Sequence, residues 1–316
     1  MKGKMGFEEF KNVVKESIIS YLPVSFKDAK VNLQTVTKNN DLQLTGLTIM
    51  APNRNIAPTI YLESFYEQYQ KGEGVEEILE RIANLQLENE MDMDFDTSLV
   101  TNFENCKDKI YPKLVSAEWN QETLETCPYV PMEDLAVIFY IDLSSEGNGS
   151  MTIKIHKGLM DMWNLTIEEL NDIAISNLKR TNSGTLQSMS EVMVDMMLPD
   201  FLEQYEGDEE AAKAMLETMM PTDNVMYVLS NKSKLNGSNM ILDYEMMHQV
   251  VEKIGEEFFI LPSSIHELLI VPIASHMQIE DLRHMVCEVN DTQVSLEERL
   301  SDNVYRYSLT EGLKIA

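Results

Sequence analysis

The sequence predicts an α+β fold from three observations. Two pairs of β-rich runs, 31–37 with 42–50 and 135–143 with 150–156, are each joined by a turn-forming segment. That is hairpin patterning, not the strand–helix–strand alternation of a parallel sheet. Helical periodicity stands apart from them, most clearly over 75–87. The chain is 44% hydrophobic and 25% charged over 316 residues, enough apolar material for an ordered core and enough length for two domains.

Residues 7–20 read as a helix because Phe7, Phe10, Val14 and Ile18 share one face, and Leu22-Pro23 ends it. The runs 31–37 and 42–50 flank Lys38-Asn39-Asn40-Asp41 and form the first hairpin. An aromatic cluster follows, Tyr61, Phe65, Tyr66 and Tyr69. Gly72 and Gly74 separate it from the 75–87 helix, which places Ile78, Leu79, Ile82 and Leu85 at helical spacing. A further helical stretch covers about 95–107. Together these elements predict an N-terminal α+β unit over 1–110.

Residues 111–316 predict a second α+β domain, a mostly antiparallel sheet with flanking helices. The run 135–143 is the most hydrophobic in the chain and reads as its central strand, with 150–156 as partner. Thr166-Ile-Glu-Glu169 is a capping box opening a helix to about 179. Residues 182–222, rich in Met and acids, read as an inserted helical pair over 186–198 and 208–220, delimited by Pro199 and Pro221. Strands at 225–230 and 239–242 flank a loop at 232–237. A helix at 245–254 ends at Gly255. Strands at 258–261 and 266–271 flank the turn Pro262-Ser263-Ser264, and a helix at 279–294 and a short strand at 304–307 finish the domain.

Charge excludes several functions. With 25 Lys+Arg against 53 Asp+Glu the formal net charge is −28, and no basic run exceeds the pair Lys179-Arg180. Direct nucleic-acid binding and docking on anionic membranes are therefore not expected. The remaining readings are solubility, which is the default, and a surface that attracts a basic protein partner. No apolar run approaches the roughly 20 residues that span a bilayer, and the amphipathic start is not a signal peptide. Three widely spaced cysteines, Cys106, Cys127 and Cys287, fit a reducing cytoplasm and argue against disulfides or a zinc knuckle. The 22 methionines read as plastic core packing.

No catalytic or metal motif is complete, and no cofactor or metal is expected. His266-Glu267 lacks the second histidine of a zinc helix. His276, Glu280 and His284 would share a face if a helix began near Ser275, but a solvated helix face is the preferred reading. Met91-Asp-Met-Asp-Phe-Asp96 lacks a calcium loop's glycine and distal glutamate and reads as an acidic lead-in to a helix. No glycine-rich phosphate loop is present. Ser263, Ser264, His266 and Glu267 bring hydroxyl, imidazole and carboxylate close in sequence, a candidate hydrolytic group. Adjacent residues in a tight turn rarely meet in triad geometry, however, and a self-satisfied hairpin turn is preferred. No Cys–His pair is apparent from proximity. Asn231, Lys232 and Asn236, in the loop at 231–237, and Tyr61 and Tyr66, in the aromatic cluster, are the candidate binding residues; for the tyrosines a core role is preferred.

Several strings carry a family likeness: Ile56-Ala-Pro-Thr-Ile-Tyr-Leu62 with Tyr66-Glu-Gln-Tyr69, Met226-Tyr-Val-Leu-Ser-Asn-Lys232 with Leu235-Asn-Gly237, Phe259-Ile-Leu-Pro-Ser-Ser-Ile-His-Glu267 with Val271-Pro272, and Glu288-Val-Asn290 with Leu300-Ser-Asp302. On these the chain resembles an uncharacterised bacterial family, domain of unknown function 5688, over nearly its whole length. The stretch 135–271, with Trp163 and 165–180, also looks distantly like a second, shorter uncharacterised family. The resemblance implies a bacterial cytoplasmic protein and supplies no activity, ligand or site residue. The functional expectation is a non-enzymatic interaction protein that inhibits or recruits a basic partner. The alternative is an enzyme, hydrolase-like, working around 263–267.

Overall fold

The computed structural model describes residues 4–90, 95–144, 151–181, 183–204, 208–220, 226–275 and 277–316. They fall in two compact units, one built from 4–100 with Ser144 and the other from 101–143 and 151–316.

The first unit runs α1 (Phe7–Ser17), β1 (Lys30–Thr37), β2 (Gln43–Met50), β3 (Thr59–Tyr61), α2 (Glu63–Lys71) and α3 (Val75–Glu88), with α4 (Ser98–Thr101) at its end. β1 and β2 form the expected antiparallel hairpin in register Lys30↔Met50 to Thr37↔Gln43, and β3 adds to β2. The turn works because Asn40 and Asp41 take positive φ, 59° and 48°, a conformation their short polar side chains tolerate. Phe10, Val14 and Ile18 from the first helix and its 3-10 extension meet Leu47, Ile49 and Ile60 of the sheet and Ile78 and Ile82 of α3 in one core. The acidic lead-in is partly visible. Asp96 Oδ1 accepts the N–H of Ser98 at 2.9 Å and opens α4; Met91 to Asp94 lie outside the described residues.

The second unit opens with α5 (Phe103–Cys106), so the single helix expected over 95–107 is two one-turn helices. Then come β4 (Ile110–Ser116), α6 (Gln121–Thr126), β5 (Val130–Met132), β6 (Leu135–Asp142), β7 (Thr152–Lys154), α7 (Lys157–Met162) and α8 (Ile167–Thr181). β6 is central: β4 pairs along its whole length, while β5 and β7 pair with its two halves on the other side. The capping box closes as read, Glu169 N–H to Thr166 Oγ1 at 3.2 Å and Thr166 N–H to Glu169 Oε2 at 2.9 Å.

Next are β8 (Gly184–Ser188), α9 (Met189–Gln204), α10 (Glu209–Met219), β9 (Tyr227–Asn231), α11 (Tyr244–Ile254), β10 (Glu257–Ser264), β11 (Glu267–Pro272), α12 (Ile279–Thr292), β12 (Tyr305–Ser308) and β13 (Gly312–Ile315). Their strands make a six-stranded antiparallel sheet in the order β13-β12-β10-β11-β9-β8. The fold is α+β with antiparallel sheets.

Two further elements differ from the sequence expectation, and the helix expected to stop at Pro199 runs through it to Gln204. Residues 184–188 are an edge strand on β9, not the start of a helix. The helix begins at Met189 because Ser188 and Glu191 form a capping box there, with Ser188 N–H to Glu191 Oε2 at 2.6 Å. Residues 239–242 are not a strand; they belong to a 3-10 helix, Gly237–Leu242. The run is too short to arbitrate by pattern, and Asn239 has another task. Its amide donates to Pro112 O at 2.7 Å and accepts from Leu114 N–H at 2.8 Å. It thus stands in for a missing strand beside β4, at the position where Pro112 has no N–H to offer.

Candidate functional site

The β9–β11 ladder, Leu229↔Leu268, carries the end of β9 alongside the tight turn Ile265-His266 that joins β10 to β11. The two sequence candidates, the loop 231–237 and the 263–267 group, therefore come together. Ser230 Oγ donates to His266 O at 2.8 Å, and Ser238 Oγ donates to Ile265 O at 2.7 Å. Asn236 N–H donates to His266 Nδ1 at 3.2 Å. From the other side, Ile265 N–H donates to Glu298 O at 2.9 Å, and Glu298 Oε1 lies 3.5 Å from His266 Nε2.

The loop itself is folded back. Asn231 Nδ2 donates to Leu235 O at 2.8 Å and Ser233 Oγ to Asn231 Oδ1 at 3.0 Å. Lys234 and Asn236 take φ of 55° and 51°. Gly237 is required by space: a Cβ there would sit 2.3 Å from both His266 O and Ser230 Oγ. The Asn236 side chain bonds the half-buried Tyr140, whose phenol burial pushes up to about 12 against that bond. The outcome is a rigid loop whose tip, Lys232, Ser233, Lys234 and Leu235, is exposed.

The 263–267 group does not assemble as a nucleophile with its base. Ser264 Oγ accepts the backbone N–H of His266 at 3.0 Å, so the hydroxyl satisfies its own turn. Among the described residues the ring meets Asn236 and Glu298 and not Ser263, Ser264 or Glu267. Ser263 lies where the β10–β11 register shifts between Leu261 and Ser264, and Glu267 pairs with Ser264 in the ladder.

The tyrosine candidates stand in the first unit. Tyr66 packs on Phe7 and Phe10, ring centroids 4.9 and 5.4 Å apart, and its hydroxyl donates to Met5 O at 3.2 Å. Tyr61 lies under Lys38 Nζ, 4.2 Å from the ring centroid. Glu280 and His284 are exposed on α12, which starts at Ile279. His276 precedes that helix and lies outside the described residues. Among the described residues no three metal-binding side chains cluster.

Two further groupings were not legible in sequence. Cys127 Sγ lies 3.6 Å from His156 Nδ1, within reach for a thiol–imidazole pair. Yet the thiol is fully buried, and burial raises its pKa against the opposing pull of Thr126, Lys154 and Lys157. It also follows the C-terminal end of α6, where the helix dipole disfavours a thiolate. Twenty-nine residues separate the pair, so no spacing rule could find it. Second, a cavity of about 500 Å³ lies beside α9 and α10, lined by Ser188, Asp195, Lys213, Tyr227 and Lys253 among others. Its charges are partly engaged: Asp195 accepts from Gln187 at 2.7 Å, and Lys253 stands 5.3 Å over the Tyr227 ring.

With the geometry in place, comparison with known proteins gives one match. The sequence profile of a family of unknown function, DUF5688, covers residues 7–309. The chain belongs to that family. No curated protein and no solved structure matches it significantly, and no finding supports the likeness to a second, shorter family. No helix of the described DUF5688 chain is long and apolar enough to cross a membrane.

Proposed function

We propose that this DUF5688 protein is a non-enzymatic interaction protein of the bacterial cytoplasm, which meets a basic partner protein through its acidic surface and so blocks or recruits it. The observation that carries the reading is the use of the 263–267 group. Ser264 Oγ and His266 Nδ1 are both spent holding backbone N–H groups, at 3.0 and 3.2 Å, so the residues best suited to hydrolysis serve instead to fix a loop. Charge supports it: the chain carries −28, and cations such as Arg81, Lys107 and Lys314 already sit 2.6–2.8 Å from carboxylates of the same chain. The acids left over attract a basic surface and accelerate its encounter.

The test is capture of partners from a bacterial lysate at low and at moderate salt, with bound proteins identified. A basic protein retained at low salt and weakened by added salt is the expected result. No partner at either ionic strength overturns the reading.

A further inference from the structure

Resting on that reading, we infer that the α9–α10 helical pair is the docking element and that its occupant is a cationic amphipathic helix of the partner. Most surface helices place apolar residues inward and polar residues outward. α9 does not. Among its described side chains Val194 is the buried one, 3% exposed, while Met193 and Met196, one turn apart, are 42% and 72% exposed. At about 100° per residue Met196 falls nearly opposite Val194, so α9 offers methionine to solvent on the side away from its packing. On α10 the exposed methionines border the buried stripe instead. Ala212 and Leu216 are fully buried, and Met215 and Met219, again one turn apart, are 45% and 56% exposed.

These side chains are interspersed with exposed acids, Glu191, Asp195 and Asp200 on α9 and Glu209, Glu210 and Glu217 on α10, against one cation, Lys213. Methionine is flexible and polarisable, suited to surfaces that repack around different apolar contacts. Carboxylates around it select lysine and arginine and reject anionic lipid. Exposed Met pairs among carboxylates complement a helix with an apolar stripe and a basic remainder.

The experiment uses the full chain and a synthetic helix of leucine and lysine about 18 residues long, five turns, with a scrambled peptide of identical composition whose leucines share no face. Binding is followed by fluorescence anisotropy. The expected result is tighter binding of the amphipathic peptide than of the scramble, about tenfold weakening or more in Met196→Glu/Met219→Glu, and unchanged binding in Met196→Leu/Met219→Leu. The site is overturned by equal binding of both peptides, by no binding, or by a glutamate variant that binds like wild type. It is equally overturned by a dimer in sedimentation that the glutamate variant abolishes, since a second copy would then be the occupant. Lysate capture that persists in the glutamate variant removes this site while leaving the interaction reading in place.

Discussion

The Nδ1 atom of His266 accepts the backbone N–H of Asn236 at 3.2 Å, across thirty residues of sequence. An Nδ1 that accepts cannot donate, so the bond assigns the ring proton to Nε2, facing Glu298 Oε1 at 3.5 Å. The imidazole is thereby a bracket between the loop after β9 and the segment after α12. Removing it in His266→Ala leaves the Asn236 N–H without its acceptor and costs about 1–2 kcal/mol, read as a lower urea midpoint with unchanged slope.

Gly237 is under a harder constraint. A Cβ would collide with His266 O and Ser230 Oγ at 2.3 Å and with the Asn231 amide at 2.9 Å, and two of these three atoms are backbone. Gly237→Ala is expected to destabilise by about 1–3 kcal/mol and lower the Tm by several degrees. Gly158→Ala, where a Cβ meets nothing within 4 Å, is the control and should leave the Tm nearly unchanged.

Elements with a strong local period were legible: Phe10 and Val14 announce α1, Leu135 to Ile141 announce β6, and Thr166 with Glu169 fixes the start of α8. Elements defined by partners were not. β4 hides behind Pro112, which looks like a strand breaker until Asn239 is seen supplying its edge. β8 reads as helix because Leu186 and Gln187 favour either state, and the ladder to β9 decides. The loop and the turn were each singled out by polar residues between apolar runs. That they are one structure depends on the β9–β11 pairing, which no local pattern encodes.

The buried thiols give a direct test of the Cys127–His156 contact. Cys106 and Cys127 are fully buried and Cys287 is exposed; burial raises the Cys106 thiol to about 11. In the native protein one thiol per chain should react with Ellman's reagent, and all three after denaturation. His156→Ala should leave the native count at one. A second fast-reacting thiol, lost in His156→Ala, would reveal an activated Cys127.

Asp134 is a structural anchor with no signature in the local sequence. It accepts Ser301 Oγ at 2.7 Å, Asn303 Nδ2 at 2.9 Å and the Tyr305 hydroxyl at 2.7 Å, tying the turn before β6 to the start of β12. Asp134→Ala strands all three donors and should cost about 2–4 kcal/mol. Tyr305→Phe loses one bond and should cost about 1–2 kcal/mol. Because the two share a bond, the double variant should lose less than the sum, measured by urea denaturation.

Those tyrosines also set an alkaline limit on stability. Burial raises the phenol of Tyr140 to about 12 and carries that of Tyr305 well above its ordinary range. Above pH 10 the unfolded chain releases these protons while the folded chain keeps them, so the native state binds more protons and stability falls as pH rises. The contribution of the two neutral phenols is therefore complete below about pH 10 and declines through the folded pKa of Tyr140. Each tyrosine adds a slope of at most about 1.4 kcal/mol per pH unit. Urea denaturation at pH 9, 10 and 11 should show this decline, and Tyr140→Phe should flatten it without abolishing it, because Tyr305 remains. An unchanged slope in Tyr140→Phe would mean that the phenol bonded to Asn236 ionises in the folded protein as freely as in the unfolded chain.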